Sequence, residues 1–201
     1  MIADPPRTVR DLRRGQIVAA ARTLVAQGGL DALTFGALER RLDFTRGVIT
    51  YHFRDKEEIV AAVLESAVEE IDRAADAEVR AGAGADDRLR AVIGSMVGGF
   101  AAHAEARTIL VSFWSRIPAD PQATLLNSRL YASWRKRAAA LIRAGQAEGR
   151  FAADVRPDAV AATLVALVVG IVVQSAFDPG AVDVDAMVGE ATASVLARLK
   201  A

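Results

Sequence analysis

The 201 residues contain no cysteine, which excludes disulfides, thiol nucleophiles and thiolate metal sites and fits the reducing cytoplasm as the expected location. Histidine is nearly as scarce, with only two, and His103 is the single candidate imidazole base beyond the N-terminal quarter. No paired carboxylates stand in a catalytic pattern in the C-terminal region, and no glycine-rich phosphate loop is present there. Neither an enzyme nor a bound cofactor or metal is therefore expected. There is no strand-like alternation and no internal repeat. The opening Met1-Ile2-Ala3-Asp4-Pro5-Pro6-Arg7 lacks an apolar signal core, so nothing there marks the chain for export.

What is present suits a folded protein with a substantial core, since apolar residues make up 52% and charged residues 25%. The formal net charge is zero, but that sum hides an asymmetry. Residues 1–56 carry ten Lys/Arg against six Asp/Glu, leaving fifteen against nineteen for the remainder. A basic head on a mildly acidic body is the distribution expected of a phosphate-binding module on a non-binding scaffold.

Helical periodicity runs through the chain. Ile17, Ala20, Ala21, Leu24 and Val25 recur at three-and-four spacing up to Gly28-Gly29, where a helix can end. Two short segments follow, 34–41 with Thr34 as its cap and 45–53, separated only by Leu42-Asp43-Phe44. Asp55 caps a longer helix that fades at Gly82-Ala83-Gly84. Further amphipathic helices carry Leu89 to Phe100 and Ile109 to Ile117. Others span 122–149, open at Pro157, and open at Asp183 after an Asp-Pro-Gly turn. About nine helices with short connections predict an all-α protein: a three-helix head over 1–56 and a helical bundle over 57–201. The stretch 159–177 has bilayer-spanning length. Thr163, Gln174 and Ser175 interrupt it and no basic cluster or aromatic belt flanks it, so it reads as a helix buried between subunits and no membrane partner is expected.

Two short helices joined by a tight turn, the second rich in small, hydroxylic and aromatic residues, form the frame of a DNA-reading helix-turn-helix. The reading helix is Thr45-Arg46-Gly47-Val48-Ile49-Thr50-Tyr51-His52-Phe53. Ile49 and Phe53 face the core, while Arg46, Val48, Thr50 and Tyr51 lie on the other side.

Leu33-Thr34-Phe35-Gly36-Ala37-Leu38 and Gly47-Val48-Ile49-Thr50-Tyr51-His52-Phe53-Arg54-Asp55-Lys56-Glu57-Glu58-Ile59 together resemble the signature of TetR-family regulators. The chain departs from that pattern at Asp43, where the family usually has glycine, and at Thr50, usually tyrosine. The resemblance implies a ligand-responsive repressor that binds a palindromic double-stranded DNA operator. It also implies a role for each residue. Thr34, Thr45, Tyr51, His52 and Lys56 contact phosphates and fix register. Arg46 reads a base, Val48 or Thr50 touches a thymine methyl, and Gly47 permits close approach. Arg7, Arg10, Arg13 and Arg14 are expected to add an arm along the backbone or minor groove.

In the body, Phe100, Phe113, Trp114, Tyr131 and Trp134 are the candidate lining of an effector pocket, each of them equally readable as core. Val111-Ser112-Phe113-Trp114-Ser115 and the 129–136 region resemble, more loosely, the choline-responsive BetI-like group. An apolar, an aromatic or a quaternary-amine effector all remain open at this point. The helices over 157–177 and 183–199 are expected to form a homodimer through Val160, Leu164, Leu167, Val168 and Ile171, with Ala161 and Gly170 allowing close approach. Helix 55–81 is the one continuous link from head to body visible in the sequence. The rival reading is a helical small-molecule-binding protein or enzyme with no DNA-binding function.

Overall fold

A computed structural model describes residues 8–81, 84–102, 104–115, 121–178, 180–181 and 183–200, apart from a few side chains within helices. Nine α-helices and no strand occur among them: α1 (Val9–Ala32), α2 (Phe35–Leu42), α3 (Arg46–His52), α4 (Lys56–Ala81), α5 (Ala85–Ala102), α6 (Ala104–Trp114), α7 (Pro121–Ala147), α8 (Pro157–Phe177) and α9 (Val184–Lys200).

The ends of these helices follow local chemistry. Thr8 and Asp11 form a reciprocal capping box that opens α1. The helix is broken at Gly28 and Gly29, and Gly29 has φ +68°, which explains why glycine stands at the junction. The Thr34 hydroxyl accepts the Ala37 N–H at 3.1 Å to start α2, and Asp43 ends it in the left-handed region at φ 53°. Aspartate is among the few non-glycine residues that enter that region readily, so the helix-turn-helix turn survives the departure from glycine. The Asp55 carboxylate accepts the Glu58 N–H at 2.8 Å at the start of α4, and Asp183 does the same for Ala186 at 3.0 Å before α9.

One buried apolar cluster extends from Ile17 in the head to Leu199 at the far end of the body. The reading helix hangs on it through Ile49 and Phe53, both fully buried beside Leu38. Truncating either to Ala should cost about 2–5 kcal/mol. The expected division at 56/57 falls at the first turn of α4, which then runs on through the body. A second link joins head and body, since α1 packs against α6 as well as α4. Arg22 of α1 holds that junction, donating to Glu105 of α6 at 2.7 Å and to Ser66 and Glu70 of α4 at 3.2 and 3.0 Å. Burial works against its charge, but the two carboxylates outweigh it and raise its pKa further.

Helix α8 is long and apolar enough to cross a membrane by length and composition alone. Four of the five residues expected at the dimer seam, Val160, Leu164, Val168 and Ile171, are buried within the protomer, as is Ala161. They face α5, α6, α7 and α9. Only Leu167 of that set is exposed, at 37%, on a face shared with Ala159, Thr163 and Ala166. A helix that is apolar all round hides which side faces its own core, so the sequence could not separate the two faces.

Candidate functional site

Helix α3 presents its outer face to solvent: Thr45, Arg46, Gly47, Val48, Thr50 and Tyr51 are exposed, Tyr51 to 71%. Thr45 starts the helix through its carbonyl, which accepts the Val48 N–H at 3.0 Å. Its hydroxyl makes no capping bond to that helix. The Thr50 hydroxyl instead donates back to the Arg46 carbonyl at 3.0 Å, which turns its donor inward. Thr34, at the N-terminus of α2, is exposed and retains its hydroxyl proton. Lys56 stands half-buried on the first turn of α4.

The arginines around this face rest on aromatic rings. Arg10 lies over Tyr51 at 5.8 Å, Arg13 over Phe44 at 4.7 Å, Arg14 over Phe53 at 4.1 Å and Arg46 over Phe35 at 4.9 Å. Arg14 is also a clamp. It donates to the His52 carbonyl at 3.1 Å, holding the C-terminal end of α3, and comes within 4.0 Å of Glu58. Arg10 and Arg14 therefore brace α3 from within α1, and Arg13 braces the turn before it; Arg7 lies outside the described residues. His52 meets Tyr51 edge-on at 5.1 Å. Burial and the positive charges of Arg10, Arg14 and Arg13 hold its imidazole below the usual histidine range, so it is neutral at pH 7.

In the body, a cavity of about 280 Å³ opens between α4, α5 and α7. Its apolar wall includes Val79, Val92, Met96 and Leu141, and its polar end is Asp72, Asp76, Arg137 and Trp134. Arg137 reaches from α7 to grip Asp72 at 2.7 Å and Asp76, two carboxylates one turn apart on α4. Burial pushes Asp72 above the ordinary carboxylate range, Arg137 opposing and the neighbouring Asp76 charge adding to it.

Of the five expected pocket residues, Trp134 borders this cavity. Tyr131 stacks on it at 5.6 Å and 27°, and Trp114 meets Tyr131 edge-on at 6.5 Å, so three of the five form one aromatic row. Burial pushes the Tyr131 hydroxyl up to about 12, and the Trp114 indole donates to Asn127 at 3.2 Å. Phe113 is 2% exposed and belongs to the core. The Phe100 side chain lies outside the described residues. Sequence reading missed Asp72, Asp76 and Arg137. The i, i+4 spacing of the aspartates was legible, but a partner some sixty residues away was not.

Comparison with known proteins agrees with this geometry. Residues 17–63 match the family described as bacterial regulatory proteins, tetR family, and residues 85–200 match the BetI-type transcriptional repressor C-terminal family. The HTH-type transcriptional regulator BetI of Paraburkholderia xenovorans is 27% identical over 135 residues, covering 64% of this chain and 69% of that protein. BetI of Burkholderia cenocepacia (strain HI2424) is 25% identical over 119 residues, 58% of this chain and 61% of that one. A transcriptional regulator from Saccharomonospora viridis, crystallised in complex with choline, superposes with a TM-score of 0.77 at 24% identity, covering 90% of this chain and 94% of that one. A TetR-family regulator from Rhodococcus sp. gives 0.80 at 21% identity, covering 94% and 98%. At those identities the two structures speak for the fold alone. With the helix-turn-helix on one family and more than half the chain on the other, this protein belongs to the TetR family of transcriptional regulators and carries a BetI-type C-terminal domain.

Proposed function

We propose that the chain is a cytoplasmic, dimeric repressor that reads a palindromic operator with α3 and releases it when a small organic cation enters the cavity between α4, α5 and α7. The observation that carries the DNA half is the outer face of α3, where readers and hydroxyls are solvent-exposed on a fully buried frame. Arg46 then supplies a fork for a base edge, Val48 and the Thr50 methyl an apolar surface for a thymine, and Thr34, Thr45, Tyr51, His52 and Lys56 the phosphate contacts. One short helix meets too few bases to be selective, so two copies about one DNA turn apart are needed.

The charge of the cavity supports the effector class. Two carboxylates face one guanidinium there, leaving one negative charge in excess beside an indole ring. A monocation with an apolar body supplies the missing charge, gains cation–π attraction from Trp134 and covers the apolar wall. A wholly apolar or purely aromatic ligand makes no ion pair with those carboxylates. The choline found in the S. viridis regulator has the required charge and shape, which makes it the first probe for this chain.

Selection of a duplex from a random-sequence pool, followed by a gel shift of the winner with and without choline, tests both halves. A selected palindrome that choline releases is the expected result. Failure to enrich any sequence would contradict the first half, and enrichment with no response to choline or larger quaternary amines the second.

A further inference from the structure

The first residue of α3 rests on the first residue of α2: the Arg46 guanidinium carbon lies 4.9 Å from the centre of the Phe35 ring. Phe35 is half-buried and packed on the core, whereas Arg46 is exposed. The ring is thus the fixed partner and the arginine the movable one.

The chemistry of the contact decides what it can do. A ring engages a guanidinium through its charge and its face, not through its five N–H donors, which lie in the guanidinium plane. A carboxylate in the same place would occupy two donors and cancel the charge. The neutral ring does neither, yet it restricts a long side chain that otherwise loses its rotamer freedom only on binding.

We propose that Phe35 is a positioning residue for operator recognition, its ring holding Arg46 in the orientation from which the guanidinium reads a base edge. The proposal rests on α3 being the reading helix. It assigns to α2, the helix that braces, a direct part in specificity.

The test compares Phe35→Leu, Phe35→Trp, Arg46→Ala and the Phe35→Leu/Arg46→Ala pair, on a duplex selected by the wild-type protein and on its full set of single base-pair changes. Ordering one long side chain on binding costs about two- to tenfold in affinity, and an arginine already held on a ring is spared part of that. Phe35→Leu should therefore weaken the selected duplex by up to that factor per half-site. The loss should be confined to the base pair whose preference Arg46→Ala flattens, and it should disappear in the Arg46→Ala background. Phe35→Trp, with a stronger ring, should keep or sharpen the preference there. An equal loss on every duplex, or an undiminished loss without Arg46, would reduce Phe35 to packing and overturn the proposal. A gain in affinity for Phe35→Leu would mean that the ring sequesters Arg46, which also overturns it. If Phe35→Leu melts early, Phe35→Trp decides alone, a flattened preference counting against. A wild-type protein that selects no sequence overturns the reading of α3, and this inference with it.

Discussion

The head and the body of this molecule treat arginine in opposite ways. In the head, Arg10, Arg13, Arg14 and Arg46 each lie over an aromatic ring. In the body, Arg88, Arg137 and Arg143 are bound to Glu148, to Asp72 and Asp76, and to Asp158. Both arrangements order a long side chain, but only the second cancels its charge. A surface that must attract a polyanion gains from order without neutralisation, because a ring leaves the charge of the arginine it holds uncancelled; Arg14, which also comes within 4.0 Å of Glu58, combines the two arrangements. A bundle that must hold its helices in register gains from the ion pair instead. Arg22 stands at the boundary, paired in the manner of the body with Glu70 and Glu105, and Arg54 pairs likewise with Glu58 on α4.

The largest effect should come from separating two heads without touching either. Leu167→Glu puts a charge on the exposed face of α8 and should give monomers by sedimentation. Operator affinity should then fall by on the order of 10³-fold, toward the non-specific level. An unchanged dimer would move the interface off α8.

Next come two cations of the head, one held on a ring and one not among those ring-held residues. Arg46→Ala should cost about 1–3 kcal/mol on the operator and blur one base pair per half-site, whereas Lys56→Ala should weaken all duplexes alike and lower the salt dependence by about one counterion per subunit. Identical, sequence-independent losses would show that α3 does not read bases through Arg46.

A smaller change is expected at the boundary. Glu105→Gln removes the charge that ties α6 to Arg22 but leaves the α4 bonds in place. It should cost about 1 kcal/mol or less of stability for so exposed a partner, spare operator affinity, and reduce the response to an effector. A full response would leave α4 as the sole route.

The smallest effect is one of pH. His52 has its pKa lowered by burial and by Arg10, Arg14 and Arg13. In the free protein the folded state therefore loses stability as pH falls through the unfolded value near 6.5 toward the lower folded one. DNA phosphates offset those arginines and raise the pKa again, so binding takes up protons and operator affinity should rise as pH drops from 7.5 to 6. Gel shifts across that range should show the slope, and His52→Gln should flatten it.

The head was legible because its signals are local. A cap at Thr34, a turn at Asp43 and two core residues four apart lie within twenty positions, and the structure has each where the pattern puts it. The body was legible as helices and much less as a site. Phe113 and Trp114 are neighbours in sequence, yet one points into the core and the other joins Tyr131. Only the packing of α4 against α5 and of α5 against α7 decides which side chains line the cavity. Ring platforms such as Phe35 beneath Arg46 were invisible for a related reason: eleven residues apart, they meet only once the turn is folded.

Linkage between the cavity and the reading helices is measured most directly by calorimetry of choline binding with and without the selected operator. Operator should weaken choline binding by the same factor by which choline weakens operator binding, typically equivalent to about 1–3 kcal/mol. Asp72→Asn should lose choline while keeping the operator, and Trp114→Ala, separated from the cavity by the rings of Trp134 and Tyr131, should lose less. Equal choline affinity with and without operator, or an Asp72→Asn protein that binds choline as the wild type does, would contradict the account.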